Sequence, residues 1–170
     1  MTIPSAPDSL DAFVALSAIL TGIAEGKLQP ALDTHGTAEA YLTYAIKNGG
    51  AEFANLMRLY GRNSTQPTNV IADLILKQSG QEMTNMAQAV MLMWYLGSWY
   101  QPAALADYVK TCRAALPTAT PQFLVISSDA YTQGWAWRVG QTHPMGYSDL
   151  RFGYWNAAPQ PLADFVGKAQ

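Results

Sequence analysis

Two histidines, one cysteine and a thin scatter of carboxylates are the groups in this 170-residue chain that could move a proton, hold a metal or attack a carbon. His35 lies in Asp33-Thr34-His35-Gly36, a string of turn formers that reads as a polar turn. His143 is followed by Pro144 and reads as a hydrogen-bonded turn histidine. The chemistry open to it is acid/base work with Asp129 or Asp149 as its partner. Cys112 follows Lys110 and precedes Arg113, cations that could lower its pKa; it reads either as a small helix residue or as a reactive or intermolecular thiol. Asp8 and Asp11 fall at the start of an expected helix, where carboxylates complement the helix dipole. No His/Cys/carboxylate spacing supplies the three or four ligands that zinc requires. There is no Cys-x-x-Cys-His for covalent haem, no Gly-x-Gly-x-x-Gly after a strand, no nucleophile elbow and no phosphate loop.

The other residues with chemical character are aromatic. Between Tyr131 and Pro159 stand Trp135, Trp137, Tyr147, Phe152, Tyr154 and Trp155, interleaved with glycine and proline and accompanied by Arg138 and Arg151. Large rings with one polar tip, set beside arginine, are the residues that anchor protein interfaces. They also roof hydrophobic cores, and both uses are open for different rings. The partner-binding set read from the sequence is Trp99, Tyr100, Trp135, Trp137, Arg138, His143, Arg151, Tyr154 and Trp155.

These groups must be held by helices. After an N-cap at Asp8-Ser9, Leu10, Phe13, Val14 and Leu20 recur at helical spacing until Thr21-Gly22. The pattern predicts further helices over Thr37–Lys47, ended by Asn48-Gly49-Gly50, and over Ala51–Tyr60. Another follows Pro67-Thr68 and closes at Gly80. Gln81–Leu96 is apolar nearly all round, which predicts the centre of a bundle. Gly97-Ser98-Trp99-Tyr100-Gln101-Pro102 breaks it; Ala103–Leu116 then reads as a helix stopped by Pro117. Phe123–Ile126 reads as a short strand or extended segment, and Ser128-Asp129 opens a helix through about Val139. The expected fold is all-α: a single domain over 1–170, a compact helical bundle with a flexible start at 1–7. An irregular aromatic, Gly/Pro-rich tail at 140–170 is expected to pack over it. No repeat or low-complexity segment interrupts this order.

Composition limits the partners. Charged residues make up 13% of the chain and hydrophobic ones 49%, against about 25% charged in ordinary soluble domains. Part of the surface is therefore weakly charged, as the core of a protein interface is. The net charge is −2 and the lysines are scattered, so no cluster of cations exists to displace counterions from a nucleic acid. The longest apolar stretch, Met83–Tyr100, is interrupted by Thr84, Asn85, Gln88 and Ser98, which argues against a membrane span. The first seven residues lack the basic start and apolar centre of an export signal.

Four segments, in order, resemble a known family. Phe13-Val-Ala-Leu16-Ser17-Ala-Ile-Leu20-Thr21-Gly22, Trp94-Tyr95-Leu96-Gly97, Tyr131 to Trp137, and His143-Pro144-Met145-Gly146 through Phe152-Gly153-Tyr154-Trp155 to Pro159 are similar to motifs of the small, accessory subunits of membrane-associated FAD-dependent sorbitol, fructose and glucose dehydrogenases. Trp135 stands where that family usually has an aliphatic residue, and no Arg-Arg pair precedes the first motif. The resemblance implies a non-catalytic small subunit that stabilises, matures and co-exports a dehydrogenase subunit of the glucose-methanol-choline type. FAD and catalysis belong to that partner, and a multihaem cytochrome c subunit takes up the electrons. It implies no catalytic residue, cofactor or metal in this chain. In the family the small subunit often carries a twin-arginine signal, so the expected compartment is the periplasm where a signal has been removed and the cytoplasm otherwise. Two other classes remain: a carbohydrate-binding helical module stacking a sugar on Trp135, Trp137 or Trp155, and a small acid/base enzyme centred on His143.

Overall fold

The computed structural model describes residues 9–106, 123–144, 146–148, 152–158 and 160–166. The chain begins with α1, Leu10–Thr21. The Ser9 hydroxyl accepts from the Ala12 amide at 3.2 Å, a cap that contributes about 1 kcal/mol. Phe13, Val14, Leu16, Ser17 and Leu20 face inward. A single turn, α2 (Glu25–Leu28), leads into a loop that ends where Asp33 Oδ1 accepts from the amides of His35 and Gly36 at 3.0 and 2.9 Å.

The helical run α3 extends from Thr37 to Asn63. The sequence pattern predicts two helices here, separated by Asn48-Gly49-Gly50. The structure bears this out: the run is two helices joined across a kink at Gly50, whose φ of 50° and ψ of −132° are non-helical and closed to other residues without strain. The bend lets one stripe (Tyr41, Leu42, Ala45, then Phe53, Leu56, Met57 and Tyr60) stay buried across it.

Helix α4, Thr68–Asp73, passes into a wide π turn at Leu74–Gln78, where a regular helix was expected. The carbonyls it exposes are taken up by hydroxyls. Ser79 donates to Leu74 and, at 3.1 Å, to Ile75, and Thr84 donates to Leu76 at 3.2 Å.

Helix α5, Gln81–Leu96, is the central element, as its all-round apolarity implies. Met86, Ala87, Ala89, Val90, Met93 and Trp94 are buried on it. Each large side chain of this kind stabilises by roughly 1.5–3 kcal/mol. The rings interlock: Trp94 meets Tyr41 edge-on at 4.8 Å and Phe13 in a stack at 6.1 Å, and Phe13 meets Phe53 at 6.0 Å. Helices α1, α3 and α5 therefore share one core.

The all-α expectation holds, and beyond α5 the described residues add one two-stranded sheet. Ser98–Tyr100 is not a bare breaker but a strand, β1, and it pairs antiparallel with β2, Phe123–Val125, in the register Ser98↔Val125, Trp99↔Leu124, Tyr100↔Phe123. Aromatic residues suit a pleated surface; Ser98 and Trp99 are both buried and Tyr100 is half-buried. The helix expected over Ala103–Leu116 is described only at 102–106, where the chain is helical; its remainder lies outside the described residues, as do Cys112, Asp149, Arg151 and the start at 1–7.

The single helix expected from Ser128 to Val139 is two short ones, α6 (Ser128–Thr132) and α7 (Trp135–Val139), parted at Gln133-Gly134. The reason is a close approach. A Cβ at Gly134 would lie 2.8 Å from the Tyr95 carbonyl oxygen, and one at Gly97 would lie 2.2 Å from that of Ala130. The end of α5 and the α6–α7 corner are thus in backbone contact. The tail then runs through two 3-10 turns, Tyr154–Asn156 and Leu162–Asp164. It is tied down where the Ala24 amide donates to the Phe165 carbonyl at 3.2 Å and Ile23 bridges Val166. Among the described residues no helix is long and apolar enough to cross a membrane.

Candidate partner-binding surface

Of the nine residues singled out for a partner, the eight that the structure describes do not form one surface. Trp99 and Trp135 are 1% and 5% exposed and belong to this chain's own core, a correction to their place among the partner anchors. Trp99 packs against Tyr44 at 6.0 Å and Trp135 against Phe165 at 6.4 Å. Both are withdrawn because the segments carrying them, β1 and α7, pack on α5 rather than project from it. Tyr100 is half-buried, and burial raises its phenol pKa above the ordinary value. Trp137 is half-buried too. Its indole N–H donates to the Tyr131 carbonyl at 2.8 Å and its ring meets Tyr131 at 5.5 Å. Arg138 is exposed, with its guanidinium 5.0 Å from the centre of the Trp135 ring. Arg151 lies outside the described residues.

The remaining three come together. The His143 ring lies 6.1 Å from Tyr154, and Tyr154 lies 5.4 Å from Trp155. Phe152, which the sequence reading did not select, completes the cluster at 5.1 Å from Trp155. Phe152 is 97% exposed and Trp155 is 59% exposed, so this cluster presents rings to the outside and does not roof the core. Gly153 (φ 85°) gives the turn that sets these rings side by side. The cue in the sequence was available: Phe152 and Trp155 flank a Gly-Tyr pair with no helical or strand period to carry either inward.

A second apolar area was also missed. Phe123, Leu124 and Val125 are all exposed, although a strand lying on a core should alternate. The Phe123 ring stacks on Tyr100 at 5.2 Å, and Tyr131 is exposed nearby on α6.

The acid/base arrangement proposed for His143 does not assemble among the described residues. Its Nδ1 bonds the Pro144 carbonyl at 3.0 Å. A carbonyl can only accept, so Nδ1 is the protonated nitrogen. No hydrogen bond or ion pair joins it to Asp129. Nor do Trp135, Trp137 and Trp155 line a common groove: each ring is engaged with a different neighbour. Among the described residues no group of three His, Cys, Asp or Glu side chains could hold a metal ion. No protein-family model, no curated protein and no solved structure matches this chain.

Proposed function

We propose that this chain is a non-catalytic small subunit that binds, stabilises and helps to mature a FAD-dependent sugar or alcohol dehydrogenase subunit of the glucose-methanol-choline type. In this reading FAD and catalysis reside in the partner, a multihaem cytochrome c subunit is reached through the complex, and the assembly works in the periplasm where a signal has been removed from this chain and in the cytoplasm otherwise. The observation that carries the reading is the exposed ring cluster of Phe152, Tyr154 and Trp155, at the segment where the family resemblance is densest. Aromatic clusters of this kind on a weakly charged surface mark protein interfaces. The other motifs of the resemblance have structural work that fits the same reading. Phe13, Leu16, Leu20 and Trp94 build the core, and Gly97 closes α5.

The test is co-expression with a flavoprotein of that type, reading the active dehydrogenase that co-purifies. Phe152→Ala and Trp155→Ala should each weaken the complex by about 2 kcal/mol or more, roughly thirtyfold in affinity. Both rings are exposed, so the fold and the melting temperature should stay as in the wild type. Full recovery of active complex with both variants would refute the assignment of this surface. Failure of the wild-type chain to bind or stabilise any such flavoprotein would refute the function itself.

A further inference from the structure

A polar cavity of about 340 Å³ lies on another part of the molecule, where α2, the loop before α3 and the α6–α7 corner meet. We infer that this cavity is a binding site for a small hydroxylated organic carboxylate, of about the size of a monosaccharide. The inference is independent of the proposed function: it concerns different residues and survives or fails without it.

Charge is the first argument. Lys27, His35 and Arg138 line the cavity, with Asp33 as its sole carboxylate among the described residues. Asp33 is already committed, since its Oδ1 accepts two backbone amides. Among the described residues the ion pair is Lys77–Asp73, neither of which lines this cavity. Among the described residues, therefore, no carboxylate stands at ion-pair distance from Lys27 or Arg138 at the cavity. That is an unbalanced cationic site in a chain whose overall charge is −2.

Geometry is the second. Arg138 is held, not waving: its Nη2 donates to Gln133 Oε1, and its guanidinium lies 5.0 Å from the centre of the Trp135 ring. Stacking and one fixed hydrogen bond pre-position the planar fork, which suits bidentate capture of a carboxylate. The walls select for an organic body. Trp94 and Trp135, both almost fully buried, lie in its wall, and Trp94 carries a buried indole N–H with no partner among the described residues. Gln133 with Thr34 and Thr37 adds donors and acceptors for hydroxyl groups. The volume is at the lower end of ligand cavities, which fits a molecule of about a dozen heavy atoms.

The full-length chain should be titrated with D-gluconate by calorimetry, with glucose and inorganic phosphate as parallel probes. The expected result is saturable gluconate binding with a Kd on the order of 1 mM, weakened by salt. Glucose and phosphate should each bind about tenfold more weakly or worse. Arg138→Gln, which preserves a planar polar group over Trp135, and Lys27→Ala should each cost about tenfold in affinity. Lys77→Ala should bind as the wild type does. Circular dichroism of every variant separates lost binding from lost folding. Absence of saturable gluconate binding would overturn the inference. So would glucose or phosphate binding as tightly as gluconate, or wild-type affinity in both folded cavity variants.

Discussion

Replacing Gly97 by alanine tests how the end of α5 is joined to the rest of the domain, and Gly22 provides the internal control. Both glycines close a helix in the left-handed region, at φ 62° and 74°. Both donate their amide back one turn, Gly97 to Met93 at 2.9 Å and Gly22 to Ala18 at 2.8 Å. An alanine at either position meets the same conformational penalty of about 1 kcal/mol. Their surroundings differ. A Cβ at Gly22 meets nothing within 4 Å, whereas at Gly97 it would fall 2.2 Å from the Ala130 oxygen, 2.3 Å from the Ala130 carbonyl carbon and 2.6 Å from the Tyr131 nitrogen. These are backbone atoms and cannot rotate away, so α6 must shift or β1 must leave its place. Forced overpacking of this kind costs about 1–3 kcal/mol. Gly97→Ala should therefore destabilise by about 3 kcal/mol and Gly22→Ala by about 1 kcal/mol, both read as urea midpoints at constant slope. The reasoning is refuted if the two variants lose the same stability. Equal losses would mean that the carbonyl of Ala130 does not lie against the α5 terminus.

Two further outcomes follow from the core. Met93→Ala, at a fully buried site on α5, should cost about 2–5 kcal/mol, and Leu92→Ala, half-buried, clearly less; equal costs by denaturant titration would displace α5 from the centre. Burial raises the Tyr41 phenol pKa well above its ordinary value, which makes stability fall in alkali. Below pH about 10 both folded and unfolded chains keep this proton and the stability is full; above it the unfolded chain ionises first, and stability is lost with rising pH by up to about 1.4 kcal/mol per unit. Tyr41→Phe should lose about 1 kcal/mol at neutral pH, with its bond to the Ala130 carbonyl, yet decline less steeply than the wild type between pH about 10 and 12. An unchanged alkaline slope would show that Tyr41 is not the buried phenol responsible.

Helical periodicity carried most of the fold because apolar residues three and four apart report one face directly. Gln81–Leu96 was legible to its ends, since an apolar helix bounded by Gly80 and Gly97 has few alternatives. Where pairing is non-local the signal fails. Nothing within Ser98-Trp99-Tyr100 announces that its hydrogen-bond partners lie at Phe123–Val125, and three residues are too few to show a period of two. The π turn at Leu74–Gln78 was invisible for a related reason. It keeps Ile71 and Ile75 buried as a regular helix would, and its distinguishing partners, Ser79 and Thr84, are ordinary polar residues in the sequence. The split between α6 and α7 depends on Tyr95, thirty-nine positions before Gly134.

The candidate surface was legible as a segment but not as a set of side chains, and the reason lies in the rings themselves. Composition identifies an aromatic as apolar without saying whether the apolar partner is in the same chain. Trp135 and Trp155 stand in similar Gly-rich surroundings, yet Phe165 returns to cover the first, while among the described residues the second has its ring contacts with Phe152 and Tyr154. That covering contact is made by a residue thirty positions downstream, beyond any local pattern. The consequence bears on how the interface must be probed. An alanine at Trp135 empties a core site and uncouples Phe165, so its loss of partner binding would report folding. An alanine at Trp155 removes surface already outside the fold, so its loss of binding reports the partner. The same division separates the Arg138 cavity from the ring cluster. Trp135 forms a wall of the former and has no ring contact with the latter among the described residues, which is why the two sites can be tested one at a time.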